Sequence, residues 1–148
     1  MSDLEEVKSV QPVKSVETIT VKQYQQLLDA FINKSNNILL YAQLLHWSTN
    51  SYSVHNATRD LYTSLSENTD NIVEIILGKT NRKVKVKGVK INIQNINKET
   101  FIQIAKEYIN FITNDQVINS LVNTDIQGPA YKIVGDLNHV LYEFTLNK

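Results

Sequence analysis

The sequence contains no cysteine among its 148 residues. Disulfide bonds, thiolate metal sites and cysteine nucleophiles are therefore excluded. A chain without cysteine is typical of a reducing compartment, so we expect a cytoplasmic protein.

Glycine and proline are scarce, with four and two residues. Few helix breakers and long periodic segments favour a mostly helical protein. No apolar run approaches the ~20 residues that a membrane-spanning helix needs, so we expect no membrane partner. The formal net charge is zero. Without a strong positive field, nucleic acid is also a disfavoured partner.

Four amphipathic helices are predicted after residue 20. Apolar residues recur there at three- and four-residue spacing, which is typical of helices that bury one face. The turn between the first two helices is short and polar, so these helices should be antiparallel. The predicted helices cover residues 21–47, 53–77, 98–113 and 129–146.

Local sequence features predict the end of the second helix, the extent of the helical domain and the buried face of the last helix. The second helix is expected to stop at Gly78, because glycine readily adopts the left-handed conformation that follows a helix. Residues 1–19 lack helical periodicity and are expected to be a flexible tail. Residues 20–148 are then a single helical domain. The apolar stripe predicted for the last helix consists of Val134, Leu137, Leu141 and Phe144.

Between the second and third helices, residues 79–97 alternate apolar and polar side chains. This pattern predicts an extended crossover, which lets the second and third helices run parallel. The segment is also basic. We interpret the basic side chains as a solvated surface, with contact to phosphate or to an acidic partner as the alternative. They are Lys79, Arg82, Lys83, Lys85, Lys87 and Lys90, followed by Lys98.

The most informative stretch runs from Leu44 to Gly78 and holds two of the three histidines. His46 falls at the end of the first predicted helix and His55 at the start of the second. Asp70 and Glu74 follow one helical turn apart, so their carboxylates share a face. Imidazole and carboxylate are ligands that suit iron, zinc or manganese. These four residues are the candidate metal ligands.

The four candidate ligands cannot meet within one chain. His55 and Asp70 are fifteen residues apart on one helix, which separates them by ~22 Å along the axis. They can meet between two chains whose second helices pack antiparallel about a two-fold axis near Tyr62–Leu65. Each site would then combine the histidines of one chain with the carboxylates of the other. We therefore expect a homo-oligomer that is at least a two-fold dimer.

The pattern His46-Trp47, His55 and Asp70-x-x-x-Glu74 resembles the intersubunit ferroxidase site of Dps proteins, the mini-ferritins. Closer still is the similarity to small ferritin-like proteins of tailed bacteriophages, which covers most of the chain after residue 19. The resemblance implies a ferritin-like four-helix bundle with a long extended crossover between helices 2 and 3. It also implies iron binding between subunits, Fe(II) oxidation, a possible larger cage, and location in the host cytoplasm or the virion.

Two features depart from the Dps pattern. The loop between the histidines is shorter, and Arg59 stands where Dps proteins usually carry another aspartate ligand. A cation at that position would repel a second iron ion. The alternative is a non-enzymatic, phage-encoded ferritin-like protein with a structural or assembly role. Asp136 and His139 form a D-x-x-H pair with the spacing of ferritin-like di-iron sites, although only Glu107 could complement it from the third helix.

Overall fold

The computed structural model describes residues 21–81, 93, 95–114 and 125–146. The predicted tail (1–19) lies outside these residues, as do 82–92 and 94 of the predicted crossover. Within them the chain is helical, and no strand occurs. None of the helices in these ranges is both long and apolar enough to cross a membrane. The four helices are α1 (Val21–Ser48), α2 (Tyr52–Thr80), α3 (Lys98–Asn114) and α4 (Gln127–Glu143).

The all-helical prediction is confirmed for the described residues, but α2 does not stop at Gly78. It continues to Thr80, and Asn81 takes the left-handed conformation with φ 50°. The backbone N–H of Asn81 donates to the carbonyl of Leu77, which closes the last turn. Asparagine tolerates this conformation because its short side chain crowds the backbone little. Asn81 therefore provides the left-handed residue at the end of α2 that was expected at Gly78.

Contacts between neighbouring helices fix their relative directions. On α1 and α3, the ring of Phe31 lies 6.5 Å from that of Tyr108, whereas Tyr41 lies 6.1 Å from Phe101. These two helices are therefore antiparallel. Ser64 in the middle of α2 contacts Asp136 in the middle of α4, and Lys79 at the end of α2 contacts Asp125, which lies just before α4. Because α1 and α2 also form an antiparallel hairpin, α2 and α3 run in the same direction.

The core lies between the four helices and is almost entirely apolar. On α1 and α2, apolar residues at helical spacing are buried, including Phe31, Ile38, Leu61 and Leu65. The stripe predicted for α4 is displaced by one residue at two places. Ile133 and Val140 are buried there, whereas Val134 and Leu141 lie at the margin of the core. Both stripes share Leu137 and have helical spacing, so only packing against α2 and α3 selects between them.

One buried hydrogen bond crosses the core. The hydroxyl groups of Ser35 on α1 and Tyr108 on α3 lie 2.6 Å apart, and both residues are buried. Burial raises the pKa of the Tyr108 phenol above its ordinary value of 10.0, because the charged phenolate would lose its hydration. The hydrogen bond to Ser35 acts in the opposite direction but is the smaller effect. Tyr108 therefore stays protonated in the native state well into the alkaline range.

This pKa shift predicts a specific alkaline sensitivity. Above about pH 10 the unfolded chain loses the Tyr108 proton while the native chain keeps it, so stability falls by up to ~1.4 kcal/mol per pH unit. The variant Tyr108→Phe should lose roughly 1 kcal/mol at neutral pH, because Ser35 loses its partner. It should also show a shallower decline in stability at high pH.

Urea unfolding at a series of pH values measures both effects. Tyr131→Phe is the matched control, because Tyr131 is an exposed tyrosine on α4. It should keep the wild-type slope. Equal slopes in wild type and Tyr108→Phe would contradict the assignment of the alkaline effect to Tyr108.

Candidate metal centre

The hairpin between α1 and α2 brings His46 and His55 together. His46 lies in the last turn of α1, and His55 lies at the end of the first turn of α2. The intervening turn is fixed by Ser51, whose side chain accepts a hydrogen bond from the backbone N–H of Val54 and caps α2. The two imidazole rings are stacked, with centroids 3.8 Å apart and planes inclined by 19°.

Two crossed hydrogen bonds hold the rings in place. Nδ1 of His46 donates to the backbone carbonyl of His55 at 2.7 Å, and Nδ1 of His55 donates to the carbonyl of His46 at 3.0 Å. A carbonyl oxygen can only accept, so both rings carry a proton on Nδ1. In the neutral rings, Nε2 then has a free lone pair on both histidines.

Thr58 completes this arrangement, although no sequence motif points to it. The residue is fully buried at 0% exposure, and its hydroxyl donates to the carbonyls of Val54 and His55 at 2.7 and 3.1 Å. The same oxygen lies 3.3 Å from Nδ1 of His46, within reach as a second acceptor. Threonine at i+3 from a helical histidine is too common a pattern to indicate this role beforehand.

The hydrogen bonds of the two histidine rings are those of a metal site, but the stacking of the rings does not let both bind the same ion. Metal-binding histidines usually donate the second ring N–H to a carbonyl or carboxylate, which fixes the ring and directs the other nitrogen at the ion. Both rings do this here. However, nearly parallel stacked rings present their lone pairs side by side. Because a bond of about 2.1 Å lies in the ring plane, one ring must rotate before both bind the same ion.

The structure does not bring the carboxylates to the histidines within one chain. Asp70 and Glu74 lie on α2 and are exposed. They follow His55 by four turns or more of the helix, a distance of over ~20 Å. Among the described residues, no group of three or more histidine, aspartate and glutamate side chains is placed to hold a metal ion. A four-ligand centre therefore needs a second chain.

Residues 46–144 match the model of a family of unknown function, DUF5856. The chain belongs to this family. No curated protein and no solved structure matches the chain. The family match begins at His46 and includes His55, Asp70 and Glu74, so all four candidate ligands lie within the family domain. Most of α1 precedes it.

Asp136 and His139 on α4 do not form a joint site. The Asp136 carboxylate accepts hydrogen bonds from the Ser64 hydroxyl and from the Lys132 ammonium group, the latter at 2.8 Å. His139 is 70% exposed, and its Nε2 lies 3.5 Å from the Glu143 carboxylate. Asp136 thus ties α4 to α2, while His139 pairs along the surface of its own helix.

An open groove lies away from the histidines. It has a volume of about 1020 Å³ and runs between α1 and α3, lined by residues that include Lys34, Lys106, Glu107 and Phe111. The ammonium group of Lys34 stands 5.2 Å above the Phe111 ring, a cation–π contact. The groove carries both signs of charge and no histidine, so it offers no metal-binding chemistry comparable to the hairpin.

The crossed hydrogen bonds predict the tautomer of each histidine. In long-range ¹H–¹⁵N spectra of the neutral rings, His46 and His55 should both show a protonated Nδ1 and an unprotonated Nε2. His139 is the internal control, because its contact with Glu143 runs through Nε2.

The variants His46→Ala and His55→Ala assign the signals. In each variant the remaining histidine should keep its proton on Nδ1, because its acceptor is a backbone carbonyl that alanine retains. An Nε2-protonated form in both rings of the wild-type protein would contradict the arrangement.

Proposed function

We propose that this protein is a Dps-like member of the ferritin-like superfamily that binds iron, or a similar divalent metal, between subunits. In this proposal His46 and His55 of one chain face the partner's Asp70 and the partner's Glu74. Two identical sites form about each two-fold axis, and Fe(II) is the substrate. The crossover from α2 to α3 is taken to be the long connection of the ferritin-like fold.

The observation that carries the proposal is the pair of crossed hydrogen bonds at the hairpin. In the neutral rings they leave Nε2 unprotonated on two neighbouring histidines. The arrangement has the form of the outer-shell support that metal-binding histidines receive elsewhere.

The helix directions also support the proposal. Because α2 and α3 are parallel, the chain leaves α2 at one end of the bundle and enters α3 at the other. This order distinguishes bundles with one long crossover, including ferritin-like folds, from simple up-and-down bundles. The exposed Asp70 and Glu74 face away from the core, on the side of α2 that a second subunit can reach.

The chain's own residues would have three tasks at such a site. The imidazole nitrogens fix the geometry of the ion, and the carboxylates neutralise its charge. Thr58 and the hairpin carbonyls hold the proton on Nδ1, and one ring would rotate for both Nε2 atoms to reach the same ion. A bound iron ion would supply the redox chemistry, with oxygen or peroxide as the oxidant.

A second candidate is a non-enzymatic assembly or structural protein, as the resemblance to phage proteins also allows. Trp47 and Tyr52 favour it, because they flank the histidine turn and are 67% and 76% exposed. Exposed aromatic side chains of this kind are common anchors in protein interfaces. Fe(II) oxidation measured optically separates the two: it should occur in the first case and be absent in the second.

The intersubunit site predicts complementation between two inactive variants. His55→Ala and Glu74→Ala should each remove both sites of their own homodimer, because every site needs groups from both chains. In an exchanged mixture, about half of the dimers are mixed, and one of their two sites is intact. The mixture should therefore recover about a quarter of the wild-type metal capacity, measured by calorimetric titration.

Chain exchange must be verified independently, for example with two tags of different mass. The control mixes His55→Ala with His46→Ala. Both variants lack a group on the same side of the site, so this mixture should recover nothing. Zero recovery in the first mixture, with exchange verified, would rule out the intersubunit site.

A further inference from the structure

The outward face of α2 carries a second regular stripe, which reaches the margin of the core at Val73 and Leu77. Its residues follow each other at alternating spacings of four and three, the period of a helix–helix seam. None of them is buried. We call this set the outer seam: Tyr52, Asn56, Arg59, Thr63, Ser66, Asp70, Val73 and Leu77.

The outer seam is self-complementary. Suppose that two copies of α2 pack antiparallel about a two-fold axis that passes between Ser64 and Leu65. Each seam residue then meets the residue that lies equally far from the axis on the partner's helix. Every contact then occurs twice, as a two-fold axis requires. The pairs are Tyr52 with Leu77, Asn56 with Val73, Arg59 with Asp70, and Thr63 with Ser66.

Three of these four pairs are chemically matched, and the fourth sets the Asn56 amide against Val73. The outermost pair joins Tyr52 to Leu77; neither is buried, and Leu77 also packs at the margin of the core. The central pair consists of small side chains, which lets two helices approach closely. Between the outer and central pairs, Arg59, the only cation of the seam, meets the partner's Asp70, the only anion. Within the chain, Arg59 has a weak ion pair at 3.8 Å to its neighbour Asp60, and both side chains are largely exposed.

We infer that the outer seam of α2 docks a second copy of this chain in that register, and that Arg59 pairs with the partner's Asp70. The inference rests on the proposed function for the two-fold arrangement of chains. It adds the register of the interface and a role for Arg59. The same register sets His55 at the same height along the paired helices as the partner's Glu74, on the opposite edge of the seam.

This pairing changes what the metal site can hold. The Arg59 guanidinium stands beside the partner's Asp70 and fills the position of a second cation. The dimer therefore needs no metal to balance its carboxylates, and each site takes up one divalent ion. The Arg59 departure from the Dps pattern then has a structural consequence, because a permanent charge replaces one exchangeable ion.

Charge reversal tests the register directly. In buffer with a metal chelator, Arg59→Asp and Asp70→Arg should each weaken dimerisation by about tenfold or more, because like charges meet twice across the axis. The double variant Arg59→Asp/Asp70→Arg restores opposite charges in every pair and should dimerise nearly as well as wild type. Sedimentation equilibrium measures the dissociation constants.

Two controls make the result specific. Asp60→Arg alters the neighbouring charge outside the seam and should leave dimerisation nearly unchanged. Circular dichroism checks that each variant stays helical, which is expected because both substituted positions are exposed. Failure of the double variant to recover, or monomeric wild-type protein, would overturn the inference. Metal binding plays no part in this experiment, so its outcome is separate from that of the proposed function.

A second measurement tests the role of Arg59 as the replacement cation. In Arg59→Asp the new carboxylate faces the partner's Asp70, so Zn²⁺ should bridge the two groups and restore the dimer. In Asp70→Arg two guanidinium groups face each other, and Zn²⁺ should have no effect. Dimerisation of Arg59→Asp that does not respond to Zn²⁺ would contradict this role.

Discussion

The crossed hydrogen bonds between His46 and His55 are the interaction on which the candidate site depends. They join the last turn of α1 to the first turn of α2 and fix the proton on Nδ1 of both rings. Neither bond uses a side-chain acceptor, so the tautomers follow from the backbone path of the hairpin itself. Thr58 adds a second acceptor and fills the space behind the rings. The chemistry of the histidines is thus set by helix packing.

The length of α2 explains why the four candidate ligands do not meet within one chain. A straight helix keeps His55 and Asp70 far apart, whatever the rest of the bundle does. The outward face of α2 carries the carboxylates and Arg59 together, and it is polar in its centre. Such a face does not need covering for the monomer to be stable, since the core lies on the other side. The pattern of this face becomes complementary only when α2 is paired with an antiparallel copy of itself.

Much of the architecture could be predicted from the chain. Apolar spacing located all four helices to within a few residues, and the short turn after Trp47 indicated the antiparallel hairpin. The errors were local. The helix end was predicted at Gly78 because glycine readily adopts the left-handed conformation. Asn81 caps the helix equally well, and α2 extends far enough for Lys79 to contact Asp125 near the start of α4. The stripe of α4 was ambiguous because adjacent positions were both apolar, as at Ile133 and Val134.

By itself the sequence determined the helical class, the core faces of α1 and α2, and the candidate ligands His46, His55, Asp70 and Glu74. These follow from periodicity and side-chain chemistry, which are local properties. Only the tertiary structure decided the stacking of the histidines, their tautomers, the burial of Thr58 and the Ser35–Tyr108 hydrogen bond. These depend on which residues of different helices come within hydrogen-bonding distance, and spacing along one helix carries no information about its neighbours.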